Sequence, residues 1–176
     1  MSQLSMQRPS LDDLPELPVL PPGYTLRKYR EGDLKPLATL LGSAFDDAEW
    51  TDGRVREALI DHVDVPSTYV IDYGGLAVAT ASAMLSPTGP EGSGTLFWVA
   101  AEGAHGGRRL GYAVSLAVLH EFVQYGCHDA DLLTDDDRIP AIKTYLKLGF
   151  VPVYRDDTHP ARWAEIERRI AVRDPT

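Results

Sequence analysis

The stretch from Trp98 to Gly111 constrains the fold more than any other part of the chain. A strand predicted over residues 95–101 runs into a glycine-rich turn, and a largely apolar helix follows to about Tyr125. The start of a helix leaves its first backbone N–H groups without partners, and the helix dipole adds partial positive charge there. Glycines let phosphate oxygens approach the backbone closely. The pattern therefore favours a pyrophosphate-binding turn between a sheet and a buried helix.

Neighbouring residues strengthen this interpretation, and two known phosphate motifs are excluded. Arg108 and Arg109 add full positive charges beside the glycines. A P-loop would need Gly-Lys-Ser/Thr at the end of the turn, and a dinucleotide-binding turn would need Gly-x-Gly-x-x-Gly; the sequence has neither. A mobile surface loop that merely collects glycines is the alternative reading of this turn by itself.

From Gly23 onward the chain alternates between strands and helices. Strands are predicted over residues 24–29, 68–72, 76–85, 95–101, 130–134 and 150–154, with a hairpin turn at Gly74-Gly75 and a loop over 86–94. Helices are predicted from an Asp33 cap to about Phe45, over 52–63, after the glycine-rich turn, from caps at Asp135 to Asp137 up to Leu148, and around Trp163, Ile166 and Ile170. This order predicts a three-layer mixed α/β domain.

Residues 1–22 differ in composition from the rest of the chain. They contain five prolines, which block both helix and sheet, together with several acidic residues. We expect a proline-rich N-terminal arm over residues 1–22 and a single domain over residues 23–176.

Composition excludes several classes of function. The formal net charge is −9, which disfavours binding to nucleic acid because that affinity depends largely on Lys and Arg. The single cysteine, Cys127, excludes an internal disulfide framework and a cysteine-based zinc site, and no histidines show metal-ligand spacing. No apolar run approaches a membrane span, and no secretory signal is recognised at the start, so we expect a soluble cytoplasmic protein without a metal.

A second segment makes the pattern more specific. Residues 141–150, Ala-Ile-Lys-Thr-Tyr-Leu-Lys-Leu-Gly-Phe, resemble the Ala-x-x-x-Tyr-x-x-x-Gly-Phe motif of the GNAT N-acetyltransferase superfamily. The glycine-rich turn resembles the acetyl-CoA motif of that family, Gln/Arg-x-x-Gly-x-Gly/Ala. The resemblance extends over residues 24–154 in element order. It implies an α/β (α+β) GNAT-like fold of three layers, with a mixed, mostly antiparallel central sheet, helices on both faces, and acetyl-CoA as co-substrate.

The resemblance also transfers roles to individual positions. Backbone groups near Val99 and Ala101 would hold the thioester carbonyl, and Tyr145 matches the general acid of the family. The implied cofactor-binding residues are Val99, Ala101, Gly106, Gly107, Arg108, Arg109, Leu110, Gly111, Tyr112 and Arg138.

The turn can be aligned with the family motif in two ways. Aligned by the preceding strand, Arg109 stands where the family has its first glycine; shifted by two residues, Arg108-x-x-Gly111-x-Ala113 fits formally. We adopt the strand-anchored alignment, which leaves open which arginine contacts phosphate. Arg138 stands where the family often has Asn. The side-chain contact to the pantetheine arm of CoA is therefore either replaced by a charged contact or lost.

Acetyl transfer to an amine needs a proton donor for the departing thiolate, and a base is expected as well. A phenol with a pKa near 10 suits a thiol with a pKa near 8.5, although Tyr145 also fits a core position. Candidate bases are the cluster Asp46, Asp47 and Glu49, and the pair Glu102 and His105 beside the turn. None is singled out by its pattern.

These features predict an acetyl-CoA-dependent N-acetyltransferase that acts on a small cationic molecule or a peptide by direct attack of a primary amine in a ternary complex. Residues 33–72 hold nine acidic residues against three basic ones, which favours a cationic acceptor. The alternatives are a non-catalytic sensor of CoA or acyl-CoA, and an interaction module that uses the arm. A homodimer is compatible with the family.

Overall fold

The computed structural model describes residues 2–85 and 92–173, and it contains one seven-stranded sheet. The strands are Leu4–Arg8 (β1), Tyr24–Lys28 (β2), Ser67–Tyr73 (β3), Leu76–Met84 (β4), Ser93–Ala101 (β5), Asp129–Thr134 (β6) and Val151–Val153 (β7). Their order across the sheet is β2-β3-β4-β5-β6-β1-β7. Only β5 and β6 run parallel, so the prediction of a mostly antiparallel sheet is confirmed. Most of the loop predicted over 86–94 lies outside the described residues.

Helices cover both faces of this sheet, as predicted. They are Leu34–Phe45 (α1), Asp52–Val55 (α2), Leu110–Gln124 (α3), Ile139–Lys147 (α4) and His159–Arg173 (α5). A π-helical turn, Arg56–Ile60, continues α2, so this element ends before the predicted residue 63. One core cluster joins α3, α4 and α5 to the sheet, and a second cluster joins α1 and α2 to its opposite face. The three-layer architecture is therefore confirmed.

The N-terminal strand differs from the sequence-based expectation. The predicted loose arm includes β1, which lies inside the sheet between β6 and β7, with Met6 opposite both Leu132 and Pro152. Leu4 and Met6 are fully buried. The physical reason is that the prolines begin only at Pro9, so they do not interrupt this strand. For residues 4–8, the expectation of an arm outside the domain is wrong.

The segment after β1 also stays attached to the domain. Leu11 is buried, and its N–H donates to the His128 carbonyl at 2.9 Å. Further along, the Pro15 carbonyl lies 2.9 Å from Nε2 of His120 on α3. These contacts hold parts of the proline-rich segment along the helical layer.

The closing helix α5 is confirmed, and a buried histidine with two exposed polar partners lies at its first turn. His159 is fully buried, and its Nε2 lies 3.2 Å from the Asp156 carboxylate, which accepts a hydrogen bond from Ser2 Oγ at 2.6 Å. Trp163 and Ile166 are buried against the sheet. The N-terminal strand and the last helix are therefore held together at the β7 edge.

The start of α4 differs from the prediction of aspartate caps. Its first turn contains Pro140, as expected, but the N-cap position is Arg138, and no side chain caps the helix. Asp135 instead accepts hydrogen bonds from Gln3, and Asp136 pairs with Arg162 of α5. Asp135 and Asp136 therefore contact other elements rather than the amides of α4.

In the described part of the chain, none of the helices is both long and apolar enough to cross a bilayer.

Candidate active site

The site begins where two neighbouring strands separate. β5 and β6 pair only over Ser93–Thr95 and Asp129–Asp131, although β5 continues to Ala101 and β6 to Thr134. In the pairing of β5 with β4, two residues, Trp98 and Val99, stand opposite Ala81 alone. Trp98 has a positive φ of 45°, which a bulge of this kind accommodates. A cleft therefore opens between β5 and β6 within the sheet.

A cavity of about 320 Å³ occupies one side of this cleft, beside the starts of α3 and α4. Its size lies at the lower end of the range for small-molecule sites. All ten residues predicted to bind the cofactor line this cavity, and so does Tyr145. The structure thus brings together residues from β5, the glycine-rich turn and α4 that are far apart in sequence.

The glycine-rich turn exposes a row of backbone amides to this cavity. α3 starts at Leu110, and no side chain among the described residues caps it, so the N–H groups of its first turn have no partner within the helix. Gly107 has a φ of +77°, and a Cβ there would meet no atom within 4 Å, so the approach to its backbone is open. The Gly106 N–H, in contrast, donates to the Gly103 carbonyl at 3.0 Å. The available amides therefore start at Gly107, and Gly106, which the family resemblance implies as a cofactor-binding residue, has its own amide paired.

Arginine side chains surround these amides. Arg108 donates to the Gly106 carbonyl at 3.0 Å, and the guanidinium of Arg109 lies 4.4 Å from the centre of the Tyr112 ring. Arg138 supplies a third positive charge to the same cavity. Three cations and the positive end of a helix suit a ligand with several phosphate charges.

Tyr145 lines this cavity, and its side chain is buried. Burial raises the pKa of its phenol to about 12, and the nearby charge of Arg138 acts in the opposite direction. Within residues 2–85 and 92–173, no protein group forms a hydrogen bond with its hydroxyl. The phenol therefore holds its proton at neutral pH and is available to a ligand.

Arg138 bridges the two sides of the cleft. From the N-cap of α4, its Nη2 donates to the Val99 carbonyl of β5 at 3.1 Å, and its guanidinium lies 4.2 Å from the centre of the Phe45 ring. Arg138, at the position where the family often has Asn, thus places a positive charge in the cleft, near the Tyr145 phenol.

A second cavity, of about 290 Å³, opens on the side of the sheet that carries α1. It shares three residues with the first cavity, namely Val99, Arg138 and Tyr145. Its other lining residues are Gln3, Phe45, Met84, Thr95, Leu96, Phe97, Trp98, Leu133, Thr134 and Asp135. The two cavities therefore meet at Tyr145, one bordered by cations and backbone amides and the other largely by apolar side chains.

Comparison with known proteins agrees with this geometry. A model of the acetyltransferase (GNAT) family matches residues 34–150, which include β5, the glycine-rich turn, α3 and α4. The chain belongs to this family. The match includes the whole segment from which the cleft and both cavities are largely built.

Individual relatives are more distant. The mycothiol acetyltransferase of Nocardia farcinica is 32% identical over 171 residues, which is 86% of this chain and 52% of that protein. This chain thus spans about half the length of the curated relatives it matches. A GCN5-related N-acetyltransferase from Sphaerobacter thermophilus superposes with a TM-score of 0.66 at 17% identity, over 87% of this chain and 50% of that one. An aminoglycoside N-acetyltransferase in complex with CoA superposes with a TM-score of 0.60 at 20% identity, over 79% and 99%.

The predicted bases do not line the second cavity of this GNAT domain. The Asp47 carboxylate accepts hydrogen bonds from the Glu49 amide and from Arg54, at 2.9 and 2.7 Å, and these contacts lower its pKa. Glu102 and His105 line the first cavity, where Nδ1 of His105 lies 2.7 Å from the Tyr24 hydroxyl. Neither Glu102 nor His105 lines the second, largely apolar cavity.

The predicted acidic acceptor side is also different from what the structure shows. Several carboxylates of residues 33–72 are paired with arginines, as in the contacts of Arg27 with Asp33 and Asp72 at 2.6 and 2.9 Å. The carboxylate that lines the second cavity is Asp135, outside that segment. The sequence predicts Asp135 as a helix cap and Gln3 as part of a loose arm. Asp135 could have been found from its place directly after a central strand that ends at the cleft.

Proposed function

We propose that this GNAT domain is an acetyl-CoA-dependent N-acetyltransferase, with the cofactor in the first cavity and a primary amine of a small cationic molecule or a peptide in the second. The observation that carries this proposal is the meeting of the two cavities at the buried, protonated phenol of Tyr145. Thioester and amine would thus approach each other from opposite sides of the cleft.

The first cavity suits the phosphates of CoA. The amides from Gly107 to Tyr112 and the guanidinium groups of Arg108 and Arg109 would contact the pyrophosphate, because oriented amides and cations favour anionic oxygens. From there the cleft leads past Val99 and Ala101 to Tyr145. This path provides backbone groups along the pantetheine arm and for the thioester carbonyl.

Tyr145 would act as the general acid. When bound, acetyl-CoA supplies an activated acyl group; attack by a neutral amine forms the new C–N bond, and the C–S bond breaks. Tyr145 gives its phenolic proton to the departing sulfur, and the proton lost by the nitrogen restores the phenol through solvent. Arg138, which lies near the phenol, would stabilise negative charge on the thioester oxygen during attack or on the sulfur as it departs.

Direct transfer is favoured over an acyl-enzyme. Cys127 is buried and lines neither of these two cavities, and burial raises the pKa of its thiol. A thiol in this state is a poor nucleophile. The acetyl group would therefore pass to the amine in one ternary complex.

Two measurements test this function. We expect acetyl-CoA to raise the unfolding temperature, and we expect free thiol to be released from acetyl-CoA when amines are added; a screen should include amino acids, polyamines, peptides, aminoglycosides and the amine precursor of mycothiol. Tyr145→Phe should retain the thermal shift and lose about 100-fold or more in turnover, as expected for removal of a general acid. Tyr154→Phe is the matched control, since Tyr154 is 58% exposed and lines neither cavity.

Other outcomes point to other functions. A thermal shift without turnover of any amine would favour a non-catalytic sensor of CoA or acyl-CoA. The presence of Arg138 where the family often has Asn is the sequence feature that supports this alternative. Absence of the thermal shift at millimolar acetyl-CoA, in a folded protein, would refute the proposed function altogether.

A further inference from the structure

The second cavity has the composition of a site for an apolar group. Aromatic side chains form one wall, where the ring of Trp98 packs against those of Phe45 and Phe97, with centroids 5.1 and 5.2 Å away. Met84 and Leu133 contribute aliphatic surface. Polar ligands with many hydroxyl groups would lose hydrogen bonds to water against these walls without replacing them.

One weakly held carboxylate lies at the rim of this cavity, and Arg162 interacts with it only through longer-range charge attraction. Asp135 is exposed, and its oxygens accept only long hydrogen bonds from Gln3 Nε2, at 3.3 and 3.4 Å. In the described residues, no salt bridge engages this carboxylate. The other charged residue of the lining, Arg138, is directed to the Val99 carbonyl and the Phe45 ring. An incoming cation can therefore bind to Asp135 beside this weak neutral donor, without breaking an ion pair.

We infer that the acceptor is a primary amine carried on an aromatic or branched aliphatic group, and that Asp135 binds its ammonium form. This inference depends on the proposed function and narrows its substrate class. The apolar group would pack against Phe97 and Leu133, and the nitrogen would lie between Asp135 and Tyr145. Before attack, the ammonium releases one proton to solvent, and the neutral nitrogen then meets the thioester carbon.

N-terminal strand β1 contributes to this site through the residue that precedes it. Gln3 lines the cavity and holds the Asp135 carboxylate, so it is a positioning residue for the anion. Gln3→Ala should raise the KM for the amine more than it lowers kcat. Gln3 orients the Asp135 carboxylate, which binds the amine, and has no role at the thioester.

A series of amines tests the substrate class. At saturating acetyl-CoA, kcat/KM should rise from ethylamine to isoamylamine to phenethylamine, by about threefold to fourfold for each methylene that becomes buried. Glucosamine, which carries a primary amine on a hydroxylated ring, should be a poor acceptor. Leu133→Ser, at a position that is 57% exposed and therefore safe for folding, should reduce the preference for phenethylamine over ethylamine.

A matched pair of variants tests the carboxylate. Asp135→Asn should raise the KM for phenethylamine about 10-fold or more, as expected when a charged hydrogen-bond partner is lost. Asp137→Asn removes the same charge two residues away, at an exposed position outside both cavities, and should leave this KM unchanged. Both variants should keep the thermal shift caused by acetyl-CoA.

The outcomes separate this inference from the proposed function. Without a thermal shift or any thiol release, the proposed function fails, and the inference fails with it. Three results overturn the inference alone, provided that acetyl-CoA binds and some amine is acetylated. These are better acetylation of hydroxylated amines than of apolar ones, no acetylation of any apolar amine, and equal behaviour of the two Asn variants.

Discussion

The truncation Met6→Ala is expected to destabilise the protein strongly, because this side chain is completely buried in the sheet between β6 and β7. Removal of a buried Met side chain typically costs about 2–5 kcal/mol of unfolding free energy, through lost burial and the cavity left behind. For a domain of this size, each kcal/mol lowers the unfolding temperature by about 2–4 °C, so the total decrease should be roughly 4–20 °C. Urea denaturation followed by circular dichroism gives the free energy directly.

The control is another apolar truncation within the same N-terminal segment. Val19 is 98% exposed, so Val19→Ala should change stability by less than about 0.5 kcal/mol. If Met6→Ala and Val19→Ala have equally small effects, residues 4–8 do not form a buried strand, and the reasoning about β1 is refuted.

Three further changes have defined outcomes. Arg109→Gly should raise the unfolding free energy by about 1 kcal/mol, because a φ of 56° suits glycine, while calorimetry should show weaker binding of acetyl-CoA through the lost cation. Gly94→Ala should lower the unfolding free energy by about 1–3 kcal/mol, since its Cβ would clash with the ring of the buried Phe122. Gly32→Ala, whose Cβ would meet no described atom within 4 Å, should be neutral in the same denaturation assay. The Tyr145 pKa of about 12 means that its phenol keeps its proton up to about pH 10, so a pH profile of kcat should show no loss of activity from this group below that pH. Its contribution to the unfolding free energy should also be present below about pH 10 and be lost as the pH rises toward 12.

Much of the fold was predictable because its signals are local. The hairpin at Gly74-Gly75, the buried helix α3 and the closing helix around Trp163 all follow from turn chemistry and apolar spacing, and all are present. The residues around the glycine-rich turn meet in one cavity because strand, turn and helix are consecutive in sequence.

The parts that were missed depend on distant partners. Strand β1 is stabilised by β6 and β7, at the other end of the chain, and five residues followed by prolines give no local sign of that pairing. Gln3 and Asp135 become neighbours only through the same pairing, so neither could be assigned to the site from its own surroundings. Local capping rules predict helix caps at Asp135 and Asp136, whereas tertiary contacts with Gln3 and Arg162 determine where these two carboxylates lie.

The two cavities open on different sides of one sheet, and this arrangement has a kinetic consequence for the proposed enzyme. Neither product has to pass through the other's cavity to leave, so CoA and the acetylated amine can dissociate in either order. CoA should therefore inhibit competitively against acetyl-CoA but not against the amine, and the acetylated product should compete with the amine alone. Steady-state rates should give intersecting double-reciprocal lines rather than parallel ones.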